Sequence, residues 1–267
     1  MLNKTVNVLQ HGPTLCHTLI PESVHAALYS AMVCGTSLPA GWEKQVFLDS
    51  GLIHIMVVSG AHLLFLESLL SRAPRRVRLP CLFFYCWFTG FGAPVVRAFA
   101  HRVVQTFLQP KGWSGIQIEA AAVTLTLALW PSWLLSRSLQ MSWMCALALS
   151  LPRILRPAAL DQAVKAYALL FVFAGAPLLS IAWNTLLAPL VGVILFPLCL
   201  SVLLFPWLSG PVDLVWDLFL WILRWGPKGN PQQWFISSKD LFWLPPLLHG
   251  YLLVKEIRWR RKRAFSC

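Results

Sequence analysis

Charge is scarce in this chain. Its 267 residues carry 22 Lys and Arg and only 10 Asp and Glu, together 12% of the sequence. A globule of this length bathed in water needs more polar surface than that, so much of the surface is predicted to face something other than water. Several motifs are also missing. No "GxxxxGK[ST]" loop occurs, which excludes a phosphate-cradling ATPase of that kind. No "GxSxG" elbow occurs either, which weighs against Ser59 as a nucleophile served by His54 or His62. The opening "MLNKTVNVLQHGPTLCHTL" has no continuous apolar stretch, so no cleavable leader is expected and insertion falls to internal segments. The seven cysteines are odd in number and form no compact framework, so most read as small buried hydrophobes. Cys16 with His11 and His17 lacks a fourth ligand; no metal and no cofactor are expected.

What the chain has in quantity is apolar sequence, 57% of residues, in runs long enough to cross a hydrocarbon layer about 30 Å thick. The expectation is an all-α, polytopic transmembrane protein with kinked, discontinuous or re-entrant helices, multi-pass in the inner membrane. Three regions follow: 1–50 with short amphipathic or interfacial helices, a membrane core over 51–254 with about six to eight segments, and a basic tail over 255–267. Arg72, Arg75, Arg76 and Arg78, and again Lys255, Arg258, Arg260, Arg261, Lys262 and Arg263, flank apolar runs, where cytoplasmic charge is expected; the C-terminus is accordingly placed in the cytoplasm. The same clusters suit contacts to phosphate or anionic lipid. The fourteen tryptophans, many near segment ends, fit interfacial belts.

Within the run 52–70, His54, Ser59, Gly60, His62 and Glu67 are costly in lipid and should face protein or water. The Ser-Gly-Ala step admits a close neighbour or a break. On one helix, His54 and His62, two turns apart, would share a side. The run 79–96 contains "TGFGAP", so a straight helix should not continue beyond about Phe88; Gly90, Gly92 and Pro94 mark the break, as Pro189 does further on. Requiring an even number of crossings between basic loops makes 79–96 a re-entrant element or else leaves 139–152 as the run that fails to span. Asp213 and Asp217 lie four apart on one helical face, either a cation or proton site or a water-facing edge.

The stretch "FLDSGLIHIMVVSGAHLLFLESLL" resembles the signature of the ComEC/Rec2 competence-protein family, with Gly51, His54, Ser59, Gly60 and His62 on the pattern and Ala61 where leucine is usual. "FTGFGAPVVRAFAHRVV" is similar to a second family segment through Tyr85, Gly90 or Gly92, Arg97 and Ala98. "LLSRSLQMSWMCALAL" and "LLSIAWNTLLAPLVGVILFP" look like two more, through Gln140, Met141, Ser142, Asn184 and Pro189. The resemblance covers roughly residues 30–206, and its four pieces stand in order.

It implies the transmembrane competence domain alone: a channel subunit moving single-stranded DNA across the inner membrane, without covalent chemistry. Relatives commonly add an oligonucleotide-binding-type domain and a metallo-β-lactamase-like domain; this chain has room for neither and lacks the latter's "HxHxDH" cluster. Implied partners are single-stranded DNA, membrane lipids, a periplasmic DNA receptor, a cytoplasmic motor or helicase, a separately encoded nuclease and further copies of the chain. His54, Ser59, Gly60, His62, Arg97, Gln140, Ser142 and Asn184 either line the DNA path or hold helices together, Arg97 being the foremost phosphate contact or else a snorkelling anchor. A small-solute or ion transporter and a non-conducting membrane scaffold are the alternatives.

Overall fold

The computed structural model describes residues 11–50, 52–56, 58–150, 183, 186–187, 189–226 and 243–264, with side chains for all of these except 54, 55, 137 and 259–264. Every regular element among the described residues is helical. Helix α1 covers residues 11–18. Then come α2 (Ala26–Tyr29), which continues as a π-turn over Ser30–Cys34, α3 (Trp42–Asp49), α4 (Ile53–Met56) and α5 (Gly60–Leu69). Next are α6 (Arg75–Phe88), α7 (Ala93–Leu108), α8 (Gly115–Leu129) and α9 (Arg137–Ser150). A second π-turn, Val191–Leu195, leads into α10 (Phe196–Leu204), followed by α11 (Ser209–Arg224) and α12 (Leu244–Ala264).

The chain divides into two compact units, one of Met1–Phe99 with Gly175–Trp234, the other of Ala100–Ala174 with Phe235–Cys267. In the first, Phe47, Leu63, Leu82, Phe196 and Trp216 are among the side chains of one continuous apolar core. The π-turn at Val191–Leu195 brings Gly192 directly under the Phe65 ring, where no side chain fits. A disulfide joins Cys16 to Cys34 with the α-carbons 5.6 Å apart. It thereby ties α1 to the end of the first π-turn, where the buried-thiol and weak metal-ligand readings of Cys16 had stood. In the second unit Val123 of α8 and Trp143, Met144 and Leu147 of α9 form a smaller core. His249 of α12 is threaded through that unit: Trp143 Nε1–H donates to its Nδ1 at 2.9 Å, so its Nε2 carries the proton and meets the Ile116 carbonyl at 3.0 Å.

The membrane architecture expected from the apolar runs is corrected here. No helix among the described residues is long and apolar enough to cross a membrane. Helices α7 and α11 have 16 residues each, about 24 Å of rise, short of the roughly 30 Å required. Helix α12 has 21 residues, but its second half is the basic stretch from Lys255 onward. Local breakers cut two more runs. The run 79–96 becomes two helices parted at Gly90, and 115–135 becomes α8 and a 3-10 turn beginning at Pro131. The polytopic fold, the transmembrane character of the core, the re-entrant element and the multi-pass inner-membrane location with a cytoplasmic tail all rested on those spans. None of them stands. The run 166–182 lies outside the described residues.

Candidate functional site

Two surfaces or clusters of the first unit bring together residues that the sequence singled out. The first is the "SGAH" step. Ser59 does not continue a helix from His54 but starts a new one: its extended backbone (φ −127°, ψ 174°) makes it the N-cap of α5. Its Oγ accepts from the Ala61 amide at 3.3 Å, and His62 Nδ1 accepts the Ser59 amide at 3.1 Å, completing a capping box with histidine in the usual Glu/Gln role. His54 is on α4 and His62 on α5, so the shared side expected of one helix is not formed. His62 is fully buried among Phe65 and Phe196, with ring centroids 6.2 and 5.0 Å away, and burial lowers its pKa to about 4. Its Nε2 and the Tyr85 hydroxyl, both buried and both beside Phe196, have no hydrogen-bond partner among the described residues.

The second is α6. Pro74 opens it in extended conformation, and Arg72, Arg75 and Arg76 are exposed about its start. Arg78 is spent differently: its guanidinium donates to the Ser71 and Ala73 carbonyls at 2.9 and 3.0 Å and lies 3.9 Å from Glu67, closing the loop before the helix. Phe83 and Phe84, 52% and 53% exposed, follow Arg76 by two turns on the outer face, and Trp87 is half-buried one turn on. Phe83 packs on Phe91 and Phe99, both at 5.8 Å, and Phe84 on Trp87 and Phe88 at 5.3 and 5.8 Å. Helix α6 stops at Phe88 as its sequence foretells. Gly90 takes φ +75°, and the Phe91 amide reaches back to the Cys86 carbonyl at 2.8 Å. Gly92 then leads into α7, whose second residue is Pro94.

The remaining predicted positions are scattered. Arg97, on α7, is only 7% exposed, so the phosphate contact foremost in the sequence is not presented on the surface. Gln140 is buried in the second unit, where its Nε2 donates to the Leu134 carbonyl at 2.8 Å. Ser142 lies on the same helix α9. Pro189 is exposed just ahead of the second π-turn, while Asn184 falls outside the described residues. Arg258 is exposed on α12, whose backbone runs on through Arg260, Arg261, Lys262 and Arg263. A groove of about 540 Å³ on the second unit, between Trp113, Gln117, Thr124 and Leu253, has no titratable lining among the described residues.

Sequence reasoning missed the company kept by Asp213 and Asp217. The buried His25 ring lies between Glu43 and Asp217, and Tyr29 and Ser23 both donate to Asp213. Only the i, i+4 spacing of the aspartates signalled it. Among the described residues no group of three or more His, Cys, Asp or Glu side chains is arranged to hold a metal ion.

Residues 41–245 match the family described as "Competence protein". The chain is also 29% identical over 245 residues to the uncharacterized protein YcaI of Escherichia coli K12, an alignment covering 75% of this chain and 32% of that protein. The chain thus spans about a third of the relative's length. No solved structure matches. The channel expected from the resemblance, with its transporter and membrane-scaffold alternatives, required spanning helices that the described residues do not contain. What stands is narrower than the transmembrane domain: the match takes in more than half of the sequence, and the chain belongs to the competence-protein family.

Proposed function

We propose that this chain is a binding module for single-stranded DNA that performs no covalent chemistry. The observation that carries the reading is α6, where exposed arginines at the start of a helix are followed on its outer face by exposed phenylalanines. A single strand offers regularly spaced phosphates and unpaired bases with open π-faces, and a basic edge beside an aromatic platform serves both. The chain's formal charge of +12 favours any polyanion, and competence, the process in the family's name, concerns DNA. The Ser59–His62 pair supports a non-catalytic role. Its atoms are committed to capping α5, His62 is sealed from solvent, and Nε2 meets no acid among the described residues.

The test is fluorescence anisotropy of an end-labelled oligo(dT) titrated with the full chain at several salt concentrations. Removing three phosphate contacts as R72A/R75A/R76A should weaken binding and flatten the salt dependence by about 2 in log–log slope, at roughly 0.7 per contact. F83A/F84A should weaken binding by about 1–3 kcal/mol per base lost from the stack and leave the salt slope unchanged. Failure of the wild-type chain to bind, or binding by both variants as tight as the wild type's, refutes the reading; shortening of the oligonucleotide during the titration refutes its non-catalytic part.

A further inference from the structure

The DNA reading leaves unused a polar cluster of the first unit, built around a buried histidine from segments far apart in sequence. His25, just before α2, is 2% exposed. Its Nδ1 lies 3.2 Å from Glu43 Oε1 on α3, and its Nε2 lies 2.9 Å from Asp217 Oδ1 on α11. Carboxylate oxygens only accept hydrogen bonds. A neutral imidazole has one N–H and one lone pair, so it satisfies one of these contacts and sets lone pair against lone pair in the other. The doubly protonated ring satisfies both. The same end is met if a carboxyl carries the proton, so the trio of His25, Glu43 and Asp217 is complete only when it holds one proton more than a neutral ring and two carboxylates supply.

We propose that this trio is a proton-holding clasp that fastens the segment around His25 and α2 to α11, closed while the extra proton is bound and loosened as it leaves.

Loss of the proton leaves two negative charges around a ring that water hardly reaches, and the relief is directional. Asp217 is 66% exposed and can turn to solvent, whereas Glu43 is 20% exposed. The fastening one turn earlier on α11 is of another kind. Tyr29 donates to Asp213 Oδ1 at 2.6 Å and Ser23 to the same oxygen at 3.2 Å. Burial, reinforced by Asp213, raises the Tyr29 pKa far above its ordinary value, so this donor persists across the pH range in which the clasp works. The neighbours complete the electrostatic picture. Arg224, further along α11, lies over the Trp42 ring at 4.7 Å, and Cys199 of α10, the nearby thiol, is held neutral by burial. The Asp213 tie therefore acts as a hinge and the Asp217 tie as its latch.

Hydrogen exchange of the full chain between about pH 5.5 and pH 8.5, corrected for the intrinsic pH dependence of exchange, reads the latch directly. Opening of residues 209–224 and 26–34 should become about tenfold more frequent toward the alkaline end, the worth of one hydrogen bond to a charged group. Asp217→Asn should remove that dependence, because an amide can donate to the ring's lone pair as well as accept from its N–H. His25→Gln should remove it too. If His25→Gln fails to fold, Asp217→Asn with the wild type still decides. Exchange in these segments that does not vary with pH in the wild type, or varies equally in Asp217→Asn, overturns the clasp. Neither result bears on DNA binding by α6, which is read separately by anisotropy.

Discussion

At the scale of single residues, His62 shows how a side chain read as functional becomes a stability determinant with a definite pH signature. Its ring is needed neutral, since Nδ1 accepts the Ser59 amide and the whole side chain is buried. Its pKa falls from 6.5 to about 4 on folding, so the unfolded chain binds the proton more readily than the folded one. The contribution is fully present above the unfolded value and is lost progressively as pH drops from about 6.5 toward about 4, up to roughly 3 kcal/mol. Urea unfolding across that window should show the decline in the wild type. His62→Gln keeps an acceptor at the capping-box position without a titrating group, and its profile there should be flatter. An equally steep profile would show that His62 is not the group responsible.

At the scale of elements, the strongest expectations concern places where local chemistry stops or starts a helix. Ser114 and Gln117 form a reciprocal box at the start of α8, with Ser114 Oγ accepting the Gln117 amide at 3.3 Å and Gln117 Oε1 accepting the Ser114 amide at 3.0 Å. Ser114→Ala should cost about 1 kcal/mol in chemical unfolding, with a loss below a few tenths showing that α8 is held by packing alone. This is also the scale at which the sequence was most legible. The end of α6 at Phe88 could be foreseen because glycine and proline act within a turn of themselves. The split between α4 and α5 was visible only as an option, since a histidine at the third helical position is an unusual partner for a serine cap. What escaped were properties that depend on pairing across the chain. The Cys16–Cys34 bond was hidden in an odd cysteine count, and His25 meets Asp217 at a separation of 192 residues, which no local spacing reports. The spans failed for a related reason: a long apolar run limits how far a helix can extend without fixing its ends, and Pro131 and Pro206 each begin a 3-10 turn that closes one.

At the scale of the whole molecule, the scarcity of charge reappears as an unusual surface. Helix α11 buries Val212, Trp216, Phe219, Leu220 and Leu223 against the first core, yet its opposite face is apolar as well. Leu214, Leu218, Trp221 and Trp225 are 70%, 57%, 55% and 74% exposed at helical spacing. Its charged residues are turned instead to one edge, where Asp213 and Asp217 meet Tyr29 and His25 and Arg224 covers Trp42. A water-facing helix ordinarily places its polar residues opposite the core; this one spends them on internal fastening, which leaves an apolar stripe in contact with solvent in the isolated chain. Stripes of that kind drive association by the area they remove from water. Sedimentation velocity of the purified full chain should therefore show species larger than the monomer whose share grows with concentration, and Leu214→Gln with Leu218→Gln should shift the distribution back toward the monomer. Both substitutions lie on the face turned away from the core, so helical content by circular dichroism should be unchanged. If the distribution is the same in the variant, the α11 stripe is not what brings copies together.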